Sequence, residues 1–316
     1  MTVSVCMCTY NGEKYIVPQL ESINAQTLTP DEVIICDDGS TDQTVSLVKS
    51  FIEEHDLKDT WKIYCNEVNK GYPGNFYYAG SLCTKEVVFL SDQDDVWHKE
   101  KIERMCEALT ESGAKVCCCK FSLMDADGEI VHTAMAPTKS GESGNLRQVS
   151  LEDVFYKCEW PGMVLAYDNA WYQDHMKTVG IPKIPHDFLI CAWAGEEKSF
   201  VQMDLELAFH RRHDANVGDE EHRLAKLLQK DRKVREIEKY LAILRGFSDD
   251  RLLLTEEGRK ALAKKTVSME DRLEALKSRK FSKVLQNARK HKGEIRPATL
   301  ICDLLIVKKK DSDLNP

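Results

Sequence analysis

Short apolar segments alternate with amphipathic segments through the first part of the chain, at intervals of roughly 30 residues. Apolar patterns typical of strands fall at 3–9, 32–36, 61–71 and 86–90. Helical patterns lie between them, the first ending near residue 25 and the others spanning 43–55 and 74–84. Such alternation is typical of β-α-β units, in which crossover helices cover a parallel sheet. The predicted fold class is therefore α/β, with a Rossmann-like, mostly parallel sheet.

Three of the predicted strands run directly into a polar cluster. The clusters are Thr9-Tyr10-Asn11, Asp37-Asp38 and Asp92-Gln93-Asp94-Asp95. In open α/β sheets, ligands bind in the crevice at the carboxyl ends of the strands. If these strands are neighbours, all three clusters face one crevice.

The cluster at 92–95 concentrates three carboxylates in four positions. Like charges this close repel one another, so a divalent cation is the expected compensation. Mg²⁺ usually takes one or two carboxylates together with substrate phosphates, and Asp92 and Asp94 straddle Gln93, where both can address one ion. The alternative is a helix N-terminus, which also favours acidic residues through the helix dipole.

Composition limits the class of protein. The chain has 316 residues, 42% hydrophobic and 30% charged, enough for one large or two modest domains. We find no apolar run near the ~20 residues that span a bilayer and no basic segment of a signal peptide. The twelve cysteines include no C-x-x-C pair, which favours free thiols in a reducing compartment. We therefore expect a cytoplasmic protein.

Charge is distributed unevenly along the chain. Residues 222–296 hold 22 lysines and arginines against 11 aspartates and glutamates, although the net charge of the whole chain is −8. The acidic front part argues against nucleic acid as a partner. The charge shift predicts two regions, a catalytic-type domain at 1–220 and a basic helical region at 221–316.

The basic helical region has two alternative interpretations. It is either a solvated face or a surface that binds anionic lipid at the inner face of the plasma membrane. A leucine-rich stripe at helical spacing is also compatible with a homodimer contact. Its members are Leu224, Leu227, Leu228, Val234, Ile237, Leu241 and Leu244.

Four segments together resemble the successive motifs of family 2 glycosyltransferases, which have the GT-A fold. They are VSVCMCTYNGEKYIVPQLESI at 3–23, VIICDDGSTDQT at 33–44, NKGYPGNF at 69–76 and FLSDQDDVW at 89–97. Within that family, PHDFLICAWAG at 185–195 and FHRRHDANVG at 209–218 are similar to the rhamnosyltransferase-type bacterial members. The resemblance covers roughly the first 220 residues.

The resemblance implies a role for each matching residue. Its nucleotide-binding positions correspond to Thr9, Tyr10, Asn11, Asp37, Asp38, Asn69, Gly71 and Asn75. The D-x-D motif that binds Mg²⁺ or Mn²⁺ on the diphosphate corresponds to Asp92-Gln93-Asp94. His213 matches a histidine near that metal, and Arg211 and Arg212 match phosphate contacts. Asp187 takes the general-base position, with Phe188 in the first of two aromatic positions after it and Leu189 in the second.

The chemistry of the family implies inverting, metal-dependent transfer of a sugar from a nucleotide donor. The rhamnosyltransferase-type motifs imply dTDP-L-rhamnose, and a UDP-hexose is the alternative donor. The implied acceptor is a cell-surface polysaccharide or an undecaprenyl-diphosphate-linked glycan. From the residues alone, a metal-dependent nucleotidyltransferase and a non-catalytic sugar-nucleotide-binding or scaffold protein stay open.

Overall fold

A computed structural model describes residues 1–131, 144–157, 160–213, 229–247, 252 and 254–308. The chain forms two compact units, Met1–His213 and Asp214–Pro316. The domain boundary predicted at 220/221 falls outside the described residues and stays a prediction. The described residues also leave out three members of the leucine stripe, namely Leu224, Leu227 and Leu228.

The first part of unit one alternates strands and helices. In chain order the elements are β1 (Val3–Thr9), α1 (Ile16–Asn24), β2 (Glu32–Asp37), α2 (Thr44–Glu54), β3 (Trp61–Cys65), α3 (Gly71–Leu82) and β4 (Val87–Ser91). The third strand is shorter than predicted: its pairing with β2 ends at Cys65, and beyond it Asn66, Asn69 and Lys70 form hydrogen bonds to Asp38.

The second part of unit one is less regular. It contains β5 (Val96–Trp97), α4 (Lys101–Ser112), β6 (Val116–Met124), β7 (Leu146–Gln148), α5 (Leu151–Lys157), a 3₁₀ turn (Gly162–Val164), β8 (Leu165–Asp168), α6 (Asn169–Val179), α7 (His186–Glu196) and β9 (Phe200–Arg211). The apolar segment PGMVLAY contains most of β8, which returns the chain to the sheet.

One mixed sheet organises this unit. Its strands follow the order β3-β2-β1-β4-β8-β6-β9-β5, and β7 pairs with β9 from outside this path. Strands β3, β2, β1 and β4 are parallel neighbours. Strand β8 is antiparallel to both β4 and β6, whereas β6 and β9 are parallel. The predicted α/β class is confirmed, with the β-α-β repeat confined to one half of the sheet.

The parallel half is buried on both faces, as expected when crossover helices cover it. Every residue of β2 and β4 is buried. Helix α3, which contacts both β1 and β2, contributes the buried side chains of Phe76 and Tyr77. Burying one such side chain contributes about 1.5–3 kcal/mol, so this half is a rigid base for the loops at its edge.

Unit two is helical where it is described. Its helices are α8 (Lys230–Gly246), α9 (Glu256–Ser278), α10 (Phe281–Lys290) and α11 (Pro297–Lys308). The stripe members Ile237, Leu241 and Leu244 are buried. They pack inside the chain, so these three do not form the dimer surface that was one interpretation of the stripe.

A buried ion pair joins two helices of unit two. The Arg272 guanidinium on α9 donates from Nε and Nη2 to the two carboxylate oxygens of Asp303 on α11, both at 2.8 Å. This pair explains how an aspartate sits inside the apolar segment ATLICDLLIV. Among the described residues, no helix has both the length and the apolar character that crossing a bilayer requires.

Candidate active site

Strand order brings the three polar clusters to one edge of the sheet. β1 lies between β2 and β4, with Thr9 level with Asp37 and Met7 level with Ser91. Because all three strands run parallel, their carboxyl ends open on the same crevice. The sequence-based expectation that these strands are neighbours is confirmed.

Asp37 organises the turn after β2. Its Oδ1 accepts hydrogen bonds from Thr9 Oγ1 at 2.8 Å and Ser40 Oγ at 2.5 Å. Its Oδ2 accepts from the main-chain N–H groups of Gly39 at 3.1 Å and Ser40 at 2.8 Å, and Gly39 has a φ of 86°. Both oxygens therefore hold the loop, and Thr9 and Asp37 shape the pocket from within.

Asp38 lies at the centre of a second network. Its Oδ1 accepts from Asn66 Nδ2 and from the main-chain N–H of Lys70, both at 2.8 Å. Its main-chain oxygen accepts from Asn69 Nδ2 at 2.8 Å. Among the described residues none donates to Asp38 Oδ2, which leaves that oxygen for a base or ribose donor of a nucleotide.

The asparagines around Asp38 are positioned by one another. Asn75 is buried, donates to the Cys36 main-chain oxygen and accepts from Asn66 Nδ2, both at 2.8 Å. Asn69 Oδ1 accepts from the main-chain N–H of Gly71 at 2.9 Å, and Gly71 has a φ of 70°. Sequence analysis missed Asn66, because nothing in its spacing distinguishes it from an ordinary loop asparagine.

The loop after β1 presents Tyr10 and Asn11. The Tyr10 side chain is exposed, as a residue that covers a nucleotide must be. Asn11 adopts a left-handed φ of 48°, which asparagine tolerates better than most residues. Its Oδ1 accepts from the main-chain N–H of Thr41 at 2.9 Å, so this loop is joined to the loop after β2.

The carboxylates after β4 differ in their surroundings. Asp92 is half-buried, and among the described residues none donates a hydrogen bond to its carboxylate. Burial, then the charges of Asp95 and Asp94, and to a smaller extent Asp187, raise the pKa of Asp92 well above its usual range. A nearby cation would stabilise the ionised form of such a carboxyl group.

Asp94 is held by the predicted metal-site histidine. His213 Nε2 lies 2.8 Å from Asp94 Oδ2, and the imidazole stacks on Tyr15 with ring centroids 4.4 Å apart. The structure thus brings together Asp94 and His213, which are 119 residues apart in the chain. Tyr15, at the start of α1, was not recognised from the sequence as part of this site.

Asp95 and Arg211 face inward. Asp95 is fully buried, and its Oδ1 lies 3.0 Å from His210 Nδ1 and accepts from the main-chain N–H of Arg211 at 3.1 Å. The Arg211 Nε donates to the Asp94 main-chain oxygen at 2.9 Å. Arg211 is buried and holds the chain at the end of β9, whereas its expected phosphate contact stays a prediction. Arg212 follows it, with its N–H donating to the Met124 oxygen at 2.9 Å.

A buried lysine lies behind the acidic cluster. Lys101, at the start of α4, is 0% exposed, donates to the Met163 main-chain oxygen and lies over the Trp97 ring at 3.6 Å from its centroid. Burial lowers its pKa to about 8, against the raising charges of nearby groups that include Asp95 and Asp92. Sequence analysis did not single out Lys101, since lysine is seldom buried.

Asp187 lies in the first turn of α7. Its Oδ1 accepts from the main-chain N–H of Phe188 at 2.7 Å, and among the described residues none donates to Oδ2. The charge of Asp187 also contributes to raising the pKa of Asp92, so the two carboxylates lie within range of electrostatic interaction. The expected general base thus has an oxygen available near the expected metal ligand.

His186 precedes Asp187 and is buried, with 4% of its surface exposed. Its ring stacks on Phe76 with centroids 4.0 Å apart, and neither ring nitrogen has a hydrogen-bond partner. Burial lowers the pKa of His186 to about 4, so the imidazole is neutral near pH 7. This histidine supports the helix that carries Asp187.

The donor set fits a hard divalent cation. Asp92 offers a carboxylate to which no described residue donates, Asp94 offers the carboxylate that lies beside His213, and the surplus of negative charge at this strand end favours a cation. Within the described residues, no three histidine, cysteine, aspartate or glutamate side chains are already gathered as metal ligands.

Comparison with known proteins identifies the sequence family. Residues 4–153 match the family model described as Glycosyl transferase family 2. An uncharacterized glycosyltransferase of Nostoc sp. is 30% identical over 171 residues, which cover 54% of this chain and 48% of that protein. The dTDP-rhamnosyl transferase RfbG of Shigella flexneri is 34% identical over 116 residues, which cover 34% of this chain and 38% of that protein. The chain thus spans half or less of the length of these relatives.

The fold also has solved relatives. The structure of Staphylococcus aureus TarS 1-349 in complex with UDP-GlcNAc aligns with a TM-score of 0.59 at 19% identity, covering 98% of this chain and 91% of that one. At this identity the similarity concerns the fold, which is GT-A-like. The resemblance noted from the sequence motifs is confirmed over residues 4–153, which match the family 2 glycosyltransferase model.

Proposed function

We propose that the protein is an inverting, metal-dependent glycosyltransferase that moves a sugar from a nucleotide donor to a hydroxyl of a glycan acceptor. The observation that carries this proposal is the meeting of three features at one sheet edge. They are the Asp38 pocket, the Asp92–Asp94 carboxylates and Asp187 with an available oxygen. Nucleotide, diphosphate and acceptor each have a chemically suited partner there.

Asp187 is the proposed general base. An acceptor hydroxyl is a weak nucleophile, so a carboxylate must take its proton as the bond to the anomeric carbon forms. The Asp187 Oδ1 is already bonded to the N–H of Phe188, which fixes the carboxylate and directs Oδ2 to the substrate. A single base opposite the leaving nucleoside diphosphate gives inversion of configuration.

Asp92 and Asp94 are the proposed holders of Mg²⁺ or Mn²⁺, with His213 beside Asp94. Such an ion, when bound, supplies Lewis-acid neutralisation of charge on the diphosphate. Asp38, with Asn66 and Asn69, binds the nucleoside part, and Tyr10 covers it. Thr9, Asp37 and Asn75 keep these groups in position from inside the protein.

For the donor we propose dTDP-L-rhamnose, supported by the motifs at 185–195 and 209–218 and by the similarity to a dTDP-rhamnosyl transferase. The alternative is a UDP-sugar, which the fold similarity to a UDP-GlcNAc complex favours. Both donors need the same metal, base and nucleoside contacts, so the alternative changes the sugar pocket and leaves the mechanism unaltered.

The proposed acceptor is a cell-surface polysaccharide precursor or an undecaprenyl-diphosphate-linked glycan. The basic balance of residues 222–296 supports a peripheral contact of unit two with the anionic membrane on which such an acceptor would lie. Helix α11 adds Ile301 and Leu305, which are 58% and 46% exposed.

A panel of donors tests the proposal. Release of nucleoside diphosphate is measured from dTDP-rhamnose, UDP-glucose, UDP-galactose, UDP-GlcNAc and GDP-mannose, each with Mg²⁺, Mn²⁺ or EDTA. We expect metal-dependent release of dTDP from dTDP-rhamnose, whereas release from a UDP-sugar would replace the donor only. Pyrophosphate release from a nucleoside triphosphate would indicate a nucleotidyltransferase, and nucleotide binding without turnover would indicate a scaffold.

A further inference from the structure

Gln93 lies between the two proposed metal ligands, yet its side chain is bonded to the opposite loop. The Tyr10 main-chain N–H donates to Gln93 Oε1 at 2.8 Å, and Gln93 Nε2 donates to the Tyr10 main-chain oxygen at 3.0 Å. A side-chain amide can pair in this way because it has both a donor and an acceptor. The two residues are 83 positions apart in sequence.

This contact continues the sheet beyond its last paired strand residues. The parallel pairing of β1 with β4 extends to Met7 opposite Ser91. Past that point the Gln93 amide occupies the role of a strand peptide, exchanging two hydrogen bonds with the main chain of Tyr10. The loop that carries Tyr10 is thereby fixed to the segment that carries Asp92 and Asp94.

Gly12 makes room for the amide. A Cβ built at residue 12 would overlap Oε1 and Cδ of Gln93, and its distance to Nε2 would be 3.0 Å. The φ of Gly12 is not positive, so its backbone conformation is open to alanine. The lack of a side chain at residue 12 is therefore required by the Gln93 contact and not by backbone strain.

The same loop is bonded on its other side to the turn after β2. The Asn11 main-chain N–H donates to Ser40 Oγ at 2.9 Å, and Asn11 Oδ1 accepts from the Thr41 N–H at 2.9 Å. Ser40 in turn donates to Asp37. Hydrogen bonds on both sides of the covalent Tyr10–Asn11 link thus connect Gln93, at the acidic strand end, with Ser40 and Asp37 after β2.

We propose that Gln93 is a positioning residue that connects the carboxylates of the diphosphate site with the loop that binds the nucleoside. This inference rests on the proposed function and assigns a role to the middle residue of its D-x-D motif. The Gln93 amide holds Tyr10 in its binding position before the nucleotide arrives, so less ordering is required on binding.

A double-mutant cycle on Gly12→Ala and Gln93→Ala tests the proposal. Dissociation constants of UDP and dTDP are measured by calorimetry with Mn²⁺ and with EDTA, and melting temperatures are recorded for each variant without ligand. Gly12→Ala expels the amide and Gln93→Ala removes it, so each should weaken nucleotide binding about tenfold, equivalent to about 1.4 kcal/mol.

The double variant decides between coupling and independent effects. Once Gln93 is alanine, a methyl group at residue 12 has nothing to overlap, so the double variant should bind no more weakly than Gln93→Ala alone. Additive weakening, about a hundredfold in total, would overturn the proposal. So would Gln93→Ala with unchanged nucleotide affinity in both Mn²⁺ and EDTA.

A matched control is Gln148→Ala, since Gln148 also donates from Nε2 to a main-chain oxygen, that of Lys198 at 2.7 Å. This variant should bind nucleotide as the unaltered protein does. If the proposed function itself is wrong, the result differs from both outcomes above, because the unaltered protein would bind neither UDP nor dTDP. The ligand-free melting temperatures would still show whether Gly12→Ala is damaging only when Gln93 is present.

Discussion

The three aspartates after β4 serve two purposes that the sequence does not separate. Asp95 is fully buried and fixes the end of β9 through His210 and the Arg211 main chain. Asp92 remains unbonded among the described residues, and Asp94 meets His213 at the crevice. One aspartate is therefore structural, and the other two are suited to a cation.

His186 yields a prediction about acid stability. Its pKa is about 4 in the folded protein and 6.5 when unperturbed, so between these pH values the unfolded chain binds a proton that the folded chain does not. Stability is therefore lost as pH falls from 6.5 towards 4. The His186→Phe variant keeps the stacking on Phe76 but has no imidazole to protonate. Between pH 7 and 5 its free energy of unfolding should therefore fall by about 2 kcal/mol less than that of the unaltered protein.

Chemical denaturation at several pH values measures this difference. His55→Phe is the control, since His55 also stacks on a phenylalanine, Phe51, but is exposed at the surface. Its pH dependence should match that of the unaltered protein. Equal acid sensitivity in His186→Phe and the unaltered protein would mean that His186 is not the group responsible.

At the scale of elements, close packing of α5 against α7 sets the position of Asp187. A Cβ at Gly195 on α7 would lie 2.9 Å from the main-chain nitrogen of Leu151 and 3.0 Å from its Cα. Backbone atoms at these distances cannot move aside as a flexible side chain can. Gly195 is therefore the point at which α7 touches the first residue of α5.

Gly195→Ala should destabilise the protein by about 1–3 kcal/mol, the usual effect of overpacking a tight contact. Its turnover should fall by a larger factor than its nucleotide affinity, because the displaced helix carries the base and not the nucleoside contacts. Gly74→Ala, also in a helix but facing the Lys70 Cβ at 3.2 Å, should have a small effect. Thermal melting, turnover assays and nucleotide titration of both variants test this prediction. Equal loss of stability and turnover in Gly195→Ala and Gly74→Ala would contradict it.

The parallel half of the sheet was predictable because its pattern is local. Apolar segments followed by helix patterns mark β1, β2 and β4, and the polar clusters at their ends fall where parallel strands place ligands. The antiparallel insertion of β8 between β4 and β6 depends on contacts distant in sequence. Periodicity alone therefore cannot reveal that half.

The sequence pointed to charged candidates for the site more readily than to the residues that position them. Motif order pointed to Asp92, Asp94 and Asp187 because carboxylate chemistry restricts the residue type. Gln93 and Asn66 act through hydrogen bonds to partners found only in the folded chain. An amide in a loop carries no local signal of its partner, so Gln93 was assigned no role of its own and Asn66 was not singled out.

At the scale of the whole molecule, the two units differ in charge and architecture. Unit one carries the sheet and the candidate site, whereas unit two is helical in its described residues, and the sequence over 222–296 is basic. Helix α11 combines the exposed side chains Ile301 and Leu305 with a terminal Lys308. This combination of apolar and basic groups is typical of a surface that binds anionic lipid.

Liposome flotation tests membrane binding. The protein should float with vesicles that contain phosphatidylglycerol and remain behind with neutral phosphatidylcholine vesicles, and salt should weaken the association. Replacing Ile301 and Leu305 together by glutamate should reduce the floating fraction several-fold. Val267→Glu, at another exposed aliphatic side chain of unit two, is the control. Absence of flotation with anionic vesicles would favour a solvated face.

The central claim is that one sheet edge holds a nucleotide sugar while Asp187 activates the acceptor. The most direct measurement compares the unaltered protein with Asp187→Asn, using the donor selected by the panel. We expect nucleoside diphosphate release to fall by a factor of about 10² or more, while calorimetry shows nucleotide affinity within about twofold of the original. Retained turnover in Asp187→Asn, with intact nucleotide binding, would contradict the account.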